Sequence, residues 1–327
     1  MRPKLILHVG MHKTGSTTLQ NLMEKQRKAL KDQGVWYART DRPPAEHLPK
    51  HNSLAKALVS DDDLFAEEKR ILLDEFAASG CCTLLLSEEG LSVPSARTPQ
   101  ARKRIAGLAA DFDVETICFV RRQDRWVESL WTQRCREGVN DRHITEFVNV
   151  PRIQRHMNYL PVLEGWARIG KLTVLGYEQA SARGLVASFA EAAGIRLSGE
   201  GHDNPGTSFE AAAMMAALRR EGISDFEWSE IERSPLAGRR STALGARLRG
   251  ELLTHHAKDN ASLERRYGVV FPTDLPEEPA EPLPEPDAEM VAAAARQLEV
   301  MRAEGSRRLP ALVSTIGRNL TRSLRPR

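Results

Sequence analysis

Eight residues near the start of the chain carry its densest chemistry: Gly10-Met11-His12-Lys13-Thr14-Gly15-Ser16-Thr17. The apolar run Leu5-Ile6-Leu7-His8-Val9 leads into them, and Thr18-Leu19 continue into a helical pattern. A strand, a turn holding two glycines and a helix that opens on hydroxyl residues together suit an anion. The first N–H groups of a helix have no partner within it, and the helix dipole favours negative charge there. Gly10 and Gly15 let the backbone turn tightly and approach a ligand. Lys13 adds a full positive charge, and Ser16 and Thr17 add hydroxyl donors. The spacing departs from the loop that cradles nucleoside triphosphates, in which lysine directly follows the second glycine. There the lysine reaches the β- and γ-phosphates and the next hydroxyl binds Mg²⁺. Here the lysine stands two places before Gly15, which suits a shorter anion without a γ-phosphate.

Lys13-Thr14-Gly15-Ser16-Thr17 resembles the 5′-phosphosulfate loop of the sulfotransferase family. The longer string from His12 through Thr18-Leu19-Gln20 is especially similar to bacterial members. The resemblance implies a sulfuryl transferase that takes 3′-phosphoadenosine-5′-phosphosulfate (PAPS) as donor, releases 3′-phosphoadenosine-5′-phosphate (PAP) and needs no bound metal. It implies that Lys13 bridges the sulfuryl group and the 5′-phosphate. Thr14, Gly15, Ser16 and Thr17 would cradle that phosphate, with Thr18 beside them. The family also sets an arginine at the end of a central strand and a serine eight residues on, both holding the 3′-phosphate. Arg121 closes the apolar run Phe119-Val120, and Ser129 has that spacing. An arginine at the carboxyl edge of a parallel sheet stands where open α/β sheets bind ligands, and its planar fork grips a phosphate bidentately. Arg122 and Arg125 are neighbouring alternatives to Arg121. Tyr177-Glu178 resembles a pair in bacterial relatives, with a plain structural reading beside it. The glycine- and lysine-rich C-terminal segment that covers the 3′-phosphate in the cytosolic branch has no match here.

Sulfuryl transfer strips a proton from the acceptor, so a general base is expected, together with a group that stabilises charge on the leaving oxygen. Lys13 suits the second task. For the first, Leu84-Leu85-Leu86-Ser87-Glu88-Glu89 ends an apolar run on two carboxylates. Bacterial relatives tend to show Ser-x-Glu here, which puts Glu89 first and Glu88 second; either also reads as a cap for the following segment. His51 and His12 are the histidine candidates, and the segment 39–63, with His47 and His51, is expected to line the acceptor cleft. No metal-ligand cluster is visible in the sequence. Two further readings stand beside the transferase: a divergent kinase that binds Mg-ATP, with Glu88 or Glu89 on the metal, and a binding protein without turnover.

The elements that must position these groups follow from the apolar runs. Leu5–Val9, Thr83–Leu86, Thr116–Val120 and Leu172–Leu175 are nearly continuous in apolar residues, as strands buried on both faces are. Helical patterns fill the gaps over 17–33, 64–78, 122–137 and 185–193. Strands alternating with helices predict a three-layer α/β/α domain of the P-loop type, with a central parallel sheet and a helical C-terminal extension. The sheet is expected within 1–200 and further helices over 208–221 and 245–267, in a domain spanning 1–271. The Pro/Glu-rich stretch 272–287 reads as an extended linker. Beyond it, 288–327 reads as a helix followed by a basic tail, whose last 21 residues, 307–327, hold six arginines and no acid. Leu309, Leu312, Val313, Ile316, Leu320 and Leu324 fit one helical face there. That tail reads as a solvated or partner-packed helix, or as an amphipathic helix lying on an anionic membrane.

The chain has 327 residues and a formal net charge of +3, too near neutral for a general nucleic-acid binder. Cys81, Cys82, Cys118 and Cys135 form no CxxC pair, and those on or beside strands read as buried free thiols of a reducing compartment. No apolar stretch reaches the roughly 18 residues of a spanning helix. These features read as a cytoplasmic protein. The family resemblance implies a sugar, lipid or small molecule as acceptor, and if the basic tail lies on the inner membrane face, a glycolipid or a cell-surface polysaccharide precursor is the expected one.

Overall fold

The computed structural model describes residues 2–39, 51–92, 98–199, 208–232, 241–273, 279–301 and 303. The chain forms two units. The first comprises Met1–Leu130, Val148–Pro205 and Arg247–Glu277; the second comprises Trp131–Phe147, Gly206–Ala246 and Glu278–Arg327.

The first unit is built on five parallel strands: β1 (Lys4–His8), β2 (Val35–Tyr37), β3 (Thr83–Ser87), β4 (Asp113–Val120) and β5 (Lys171–Gly176). Their order is β2-β3-β1-β4-β5. β1 therefore lies at the centre, with Lys4 opposite Thr83 on one side and Asp113 on the other. The four runs read from the sequence are four of these strands. β2 was not foreseen: three residues between Gly34 and Ala38 are too few to show a period, and the preceding helix was expected to reach Gln33. That helix is two, Ser16–Lys25 and Arg27–Lys31, broken at Gln26.

Alternation along the strands divides the core into two layers. Leu5, Leu7, Leu84, Leu86 and Val120 face a cluster that includes Leu54, Phe65, Leu72, Leu108, Tyr159 and Trp166. Ile6, Leu85, Ile117 and Phe119 face the other way, onto Leu19, Met23, Val186 and Phe189. With helices on both faces, the sheet is buried throughout, which explains its near-continuous apolar runs. The fold class is the expected α/β one. Its ligand crevice should lie at the carboxyl ends of β1, β3 and β4, where the connection from β1 runs to one side, toward β2, and that from β3 to the other, toward β4. Cys118 is buried as expected, and so is Cys135; Cys82 is exposed and Cys81 half-buried, because both precede β3 at the opposite edge of the sheet.

The second unit has its own apolar cluster, in which Met214, Met215 and Leu218 of the helix Phe209–Arg220 meet Val291, Ala294 and Leu298 of the helix over 288–301. The described part of the Pro/Glu-rich stretch before 288 forms neither helix nor strand, and it is pinned. Leu283 N donates to Ala243 O (2.8 Å), Ala246 N donates to Pro279 O (2.9 Å), and the Leu283 side chain is buried. Residues 304–327, which include the basic tail, lie outside the described residues. Among the described residues no helix is long and apolar enough to cross a membrane.

Candidate functional site

The loop after β1 is constrained at its lysine and at both of its glycines. Lys13 has φ 66°, the only positive φ of a non-glycine residue among those described. A side chain in the left-handed region costs about 1–2 kcal/mol. Such strain persists where surrounding structure holds it, and it clusters at ligand sites. Gly15 caps the helix Ser16–Lys25 at φ 76°, and a Cβ there would lie 2.4 Å from Leu185 Cδ2. Gly10 is required for a different reason: its Cβ would lie 2.2 Å from Ser16 Oγ. The loop thus closes over its own serine. Thr14 is buried and donates its hydroxyl to Met11 O (2.6 Å), which braces the turn. Ser16 is 1% exposed, and its hydroxyl has no hydrogen-bond partner among the described residues. Thr17 is exposed and Thr18 half-buried on the same first turn, which carries no acid.

A knot of polar groups fixes the strands beneath this loop. Ser87, the last residue of β3, accepts from Gln20 Nε2 (3.1 Å) and lies 2.8 Å from His8 Nδ1. The His8 ring is kept neutral by its burial. His51 grips the backbone of the same serine: its Nδ1 accepts from Ser87 N (2.9 Å), and its Nε2 donates to Ala38 O (3.2 Å). Burial lowers the pKa of both imidazoles to about 4. His51 thus spends both ring nitrogens on tying β2 to β3. His47 and the rest of 40–50 lie outside the described residues.

The two carboxylates after β3 part company. Glu88 is buried and accepts from Gly90 N (2.7 Å), so it turns back to cap the short 3₁₀ turn Glu89–Ser92. Glu89 faces the loop instead. Its Cγ is 3.3 Å from where a Gly10 Cβ would sit, and its Oε2 is 3.5 Å from His12 Nδ1.

On the other side of β1, Val120 and Gly176 are the last partners of β4 and β5, which brings Arg121 beside Tyr177. Arg121 Nη1 donates to Lys13 O (3.0 Å), so it touches the loop directly. Its guanidinium lies over the Tyr177 ring, 5.0 Å from the centroid. Tyr159, which the sequence reading missed, donates its hydroxyl to Arg121 O (2.7 Å). Arg121 Nε is buried and 3.8 Å from Glu178 Oε1, too far for a hydrogen bond, so this donor is unspent. Ser129 is half-buried two turns into the helix Gln123–Arg136.

Arg122 and Arg125 have different fates. Arg122 is buried and makes a bidentate pair with Asp124 (2.7 and 2.9 Å). Arg249 closes the cluster onto Asp124 (3.0 Å) and Glu128 (3.2 Å). Arg122 is therefore committed to clamping the helix Gly245–His255 against the start of Gln123–Arg136 and is not available as a substitute for Arg121. Arg125 is half-buried with no ion pair among the described residues.

No family model matches the chain, and no curated protein matches it. Among solved structures it is similar to a sulfotransferase from Alicyclobacillus acidocaldarius, at 14% identity and TM-score 0.48 over 83% of this chain and 98% of that one. It is also similar to a structure of the PezAT chromosomal toxin–antitoxin system of Streptococcus pneumoniae, at 13% identity and TM-score 0.29 over 81% and 88%. Likenesses this loose carry no inference about chemistry, which has to be argued from the loop and its neighbours.

Proposed function

We propose that the chain is a sulfotransferase that takes PAPS as donor and moves its sulfuryl group to a hydroxyl or amine of an acceptor such as a carbohydrate or glycolipid. The observation that carries the reading is the Ser16 hydroxyl: buried, without a partner among the described residues, at the start of a helix, under a loop strained at its lysine. An orphaned buried hydroxyl costs free energy unless a ligand satisfies it, and one beside unpaired helix amides and a lysine selects an anion. The 5′-phosphate would take the Ser16 hydroxyl and the amides of Thr14 to Thr17, while Arg121 and Ser129 take the 3′-phosphate. The unspent Arg121 Nε–H supports that second assignment.

In the transfer, the acceptor oxygen forms a bond to sulfur as the bond from sulfur to the bridging phosphate oxygen breaks. The electron pair stays on that oxygen, where the Lys13 ammonium offsets the new charge. Glu89 leads the groups that handle the acceptor proton, ahead of Glu88 and His51, because its carboxylate faces the loop.

Calorimetric titration with PAP in EDTA, with adenosine 5′-monophosphate as control, tests the reading. Binding that depends on the 3′-phosphate and needs no metal is expected. No PAP binding, with Mg-ATP binding in its place, would make the chain a divergent kinase.

A further inference from the structure

We propose that the proton acceptor is a two-residue unit in which the His12 imidazole takes the acceptor proton and Glu89 holds the ring in place; this rests on the transferase reading above. Three histidines other than His12 stand near the carboxyl edge of the sheet, and each is committed. His8 and His51 are fully buried and engaged with Ser87. His156 is 8% exposed, is 2.7 Å from Arg152 O through Nδ1, and stacks on Trp126. The His12 side chain is 30% exposed, is next in sequence to Lys13, and has Nδ1 3.5 Å from Glu89 Oε2.

The geometry divides the labour. Glu89 meets the ring at Nδ1, which leaves Nε2 to face the acceptor. A carboxylate on one ring nitrogen fixes the tautomer and offsets the positive charge that appears when the other nitrogen takes a proton. The 3.5 Å separation is long for a hydrogen bond, as such pairs are before substrate tightens them. The loop strain has a role as well. Lys13 and His12 are consecutive, and the turn at φ 66° changes the chain direction between the lysine assigned to the leaving oxygen and the imidazole beside Glu89. Cation and base thus come from adjacent residues of one rigid turn.

The step balances. The acceptor O–H proton passes to His12 Nε2, the freed electron pair forms the O–S bond, and PAP leaves with the bridging oxygen. The imidazolium then returns its proton to solvent, to which His12 has access.

The test needs no knowledge of the natural acceptor. PAP release from PAPS is measured with water and with a set of simple alcohols as acceptors, for wild type, His12→Asn, His12→Ala, Glu89→Gln and the double variant His12→Asn/Glu89→Gln. PAP affinity and melting temperature are measured on each. Base removal should lower turnover by roughly 10²- to 10⁴-fold with PAP affinity unchanged. The double variant should be little worse than His12→Asn, since residues acting as one unit are not additive. Added imidazole should restore turnover to His12→Ala and not to Glu89→Gln. Wild-type turnover in His12→Asn, or full additivity, overturns the dyad while the transferase stands. A wild-type chain that binds no PAP, or binds it and accelerates nothing, overturns the transferase reading and the dyad with it.

Discussion

Gly10→Ala is the sharpest probe of the loop. The added methyl would sit 2.2 Å from Ser16 Oγ, 3.2 Å from Ser16 Cβ and 3.3 Å from Glu89 Cγ. The first contact is impossible and the other two are tight, so the loop must open or Ser16 must turn away. Overpacking of this kind costs about 1–3 kcal/mol, which for a chain of this length is a fall in Tm of about 2–4 °C. The functional loss should be larger. A hydrogen bond to a charged group contributes about 1.5–3 kcal/mol, so displacing the Ser16 donor should weaken PAP binding roughly 10- to 150-fold. Ser16→Ala separates the two effects. It removes the clashing oxygen and an orphaned buried hydroxyl, so the free protein should be no less stable, yet PAP affinity should fall. In that background Gly10→Ala should lose most of its cost in stability, a coupling that a double-mutant cycle reads directly. Gly107→Ala is the control: it lies in the helix Pro99–Ala109 with nothing within 4 Å, and should gain about 0.5–1 kcal/mol. Thermal unfolding and PAP calorimetry on the five proteins suffice. Gly10→Ala with wild-type Tm and wild-type affinity would refute both the packing argument and the assignment of Ser16 to the phosphate.

Lys13→Ala should cut turnover by about 10²- to 10³-fold, the usual loss on removing one electrostatic stabiliser; near-wild-type turnover would sink its assigned role. Arg121→Ala should weaken PAP far more than adenosine 5′-monophosphate in calorimetry, and equal losses for both would reassign it. Stability should fall with acidity between about pH 6.5 and 4. His8 and His51 are neutral in the folded state down to about 4, whereas the unfolded chain takes up protons below 6.5. Their contribution is full above that range and is lost below it, up to about 3 kcal/mol for each. Urea midpoints at pH 7.5 and 5 should therefore differ less in His51→Gln than in wild type; equal differences would count against it. Removing residues 305–327 should abolish binding to anionic liposomes if the basic tail lies on membrane, and unchanged binding would reject that reading.

The loop after β1 could be placed from the sequence because its residues are contiguous: seven of them, Lys13 to Leu19, sit at the junction of one strand and one helix. That Arg121 ends a strand was legible, but little in the sequence separates it from Arg122. What does so is Arg249, which meets Asp124 from 125 positions away. One local sign was available: Asp124 stands two places after Arg122, close enough for the bidentate pair that removes it from contention. The pairing of His12 with Glu89 could not be read, because it depends on which strand lies beside β1. Tyr159 was missed because its partner is a backbone carbonyl 38 positions away, which no side-chain pattern marks. The helix Pro99–Ala109 was missed despite a readable start, Thr98 capping Ala101 N with proline in the first turn. Glu88 and Glu89 look equivalent as letters; they differ because the first bends back onto Gly90 and the second does not.

The central position of β1 bears on how the chain acquires its site. The loop after β1 is held by Ser87, 79 positions from His8, and by Arg121, 108 positions from Lys13. Contacts that far apart in sequence close late and slowly, since the intervening chain must first be ordered. No early intermediate made of local helices can hold β1 between both its neighbours, so anion affinity should appear only in the last kinetic phase of refolding. On the proposed function, recovery of PAP binding would then be a clock for completion of the sheet, and a nascent chain would bind no PAP until β4 had docked.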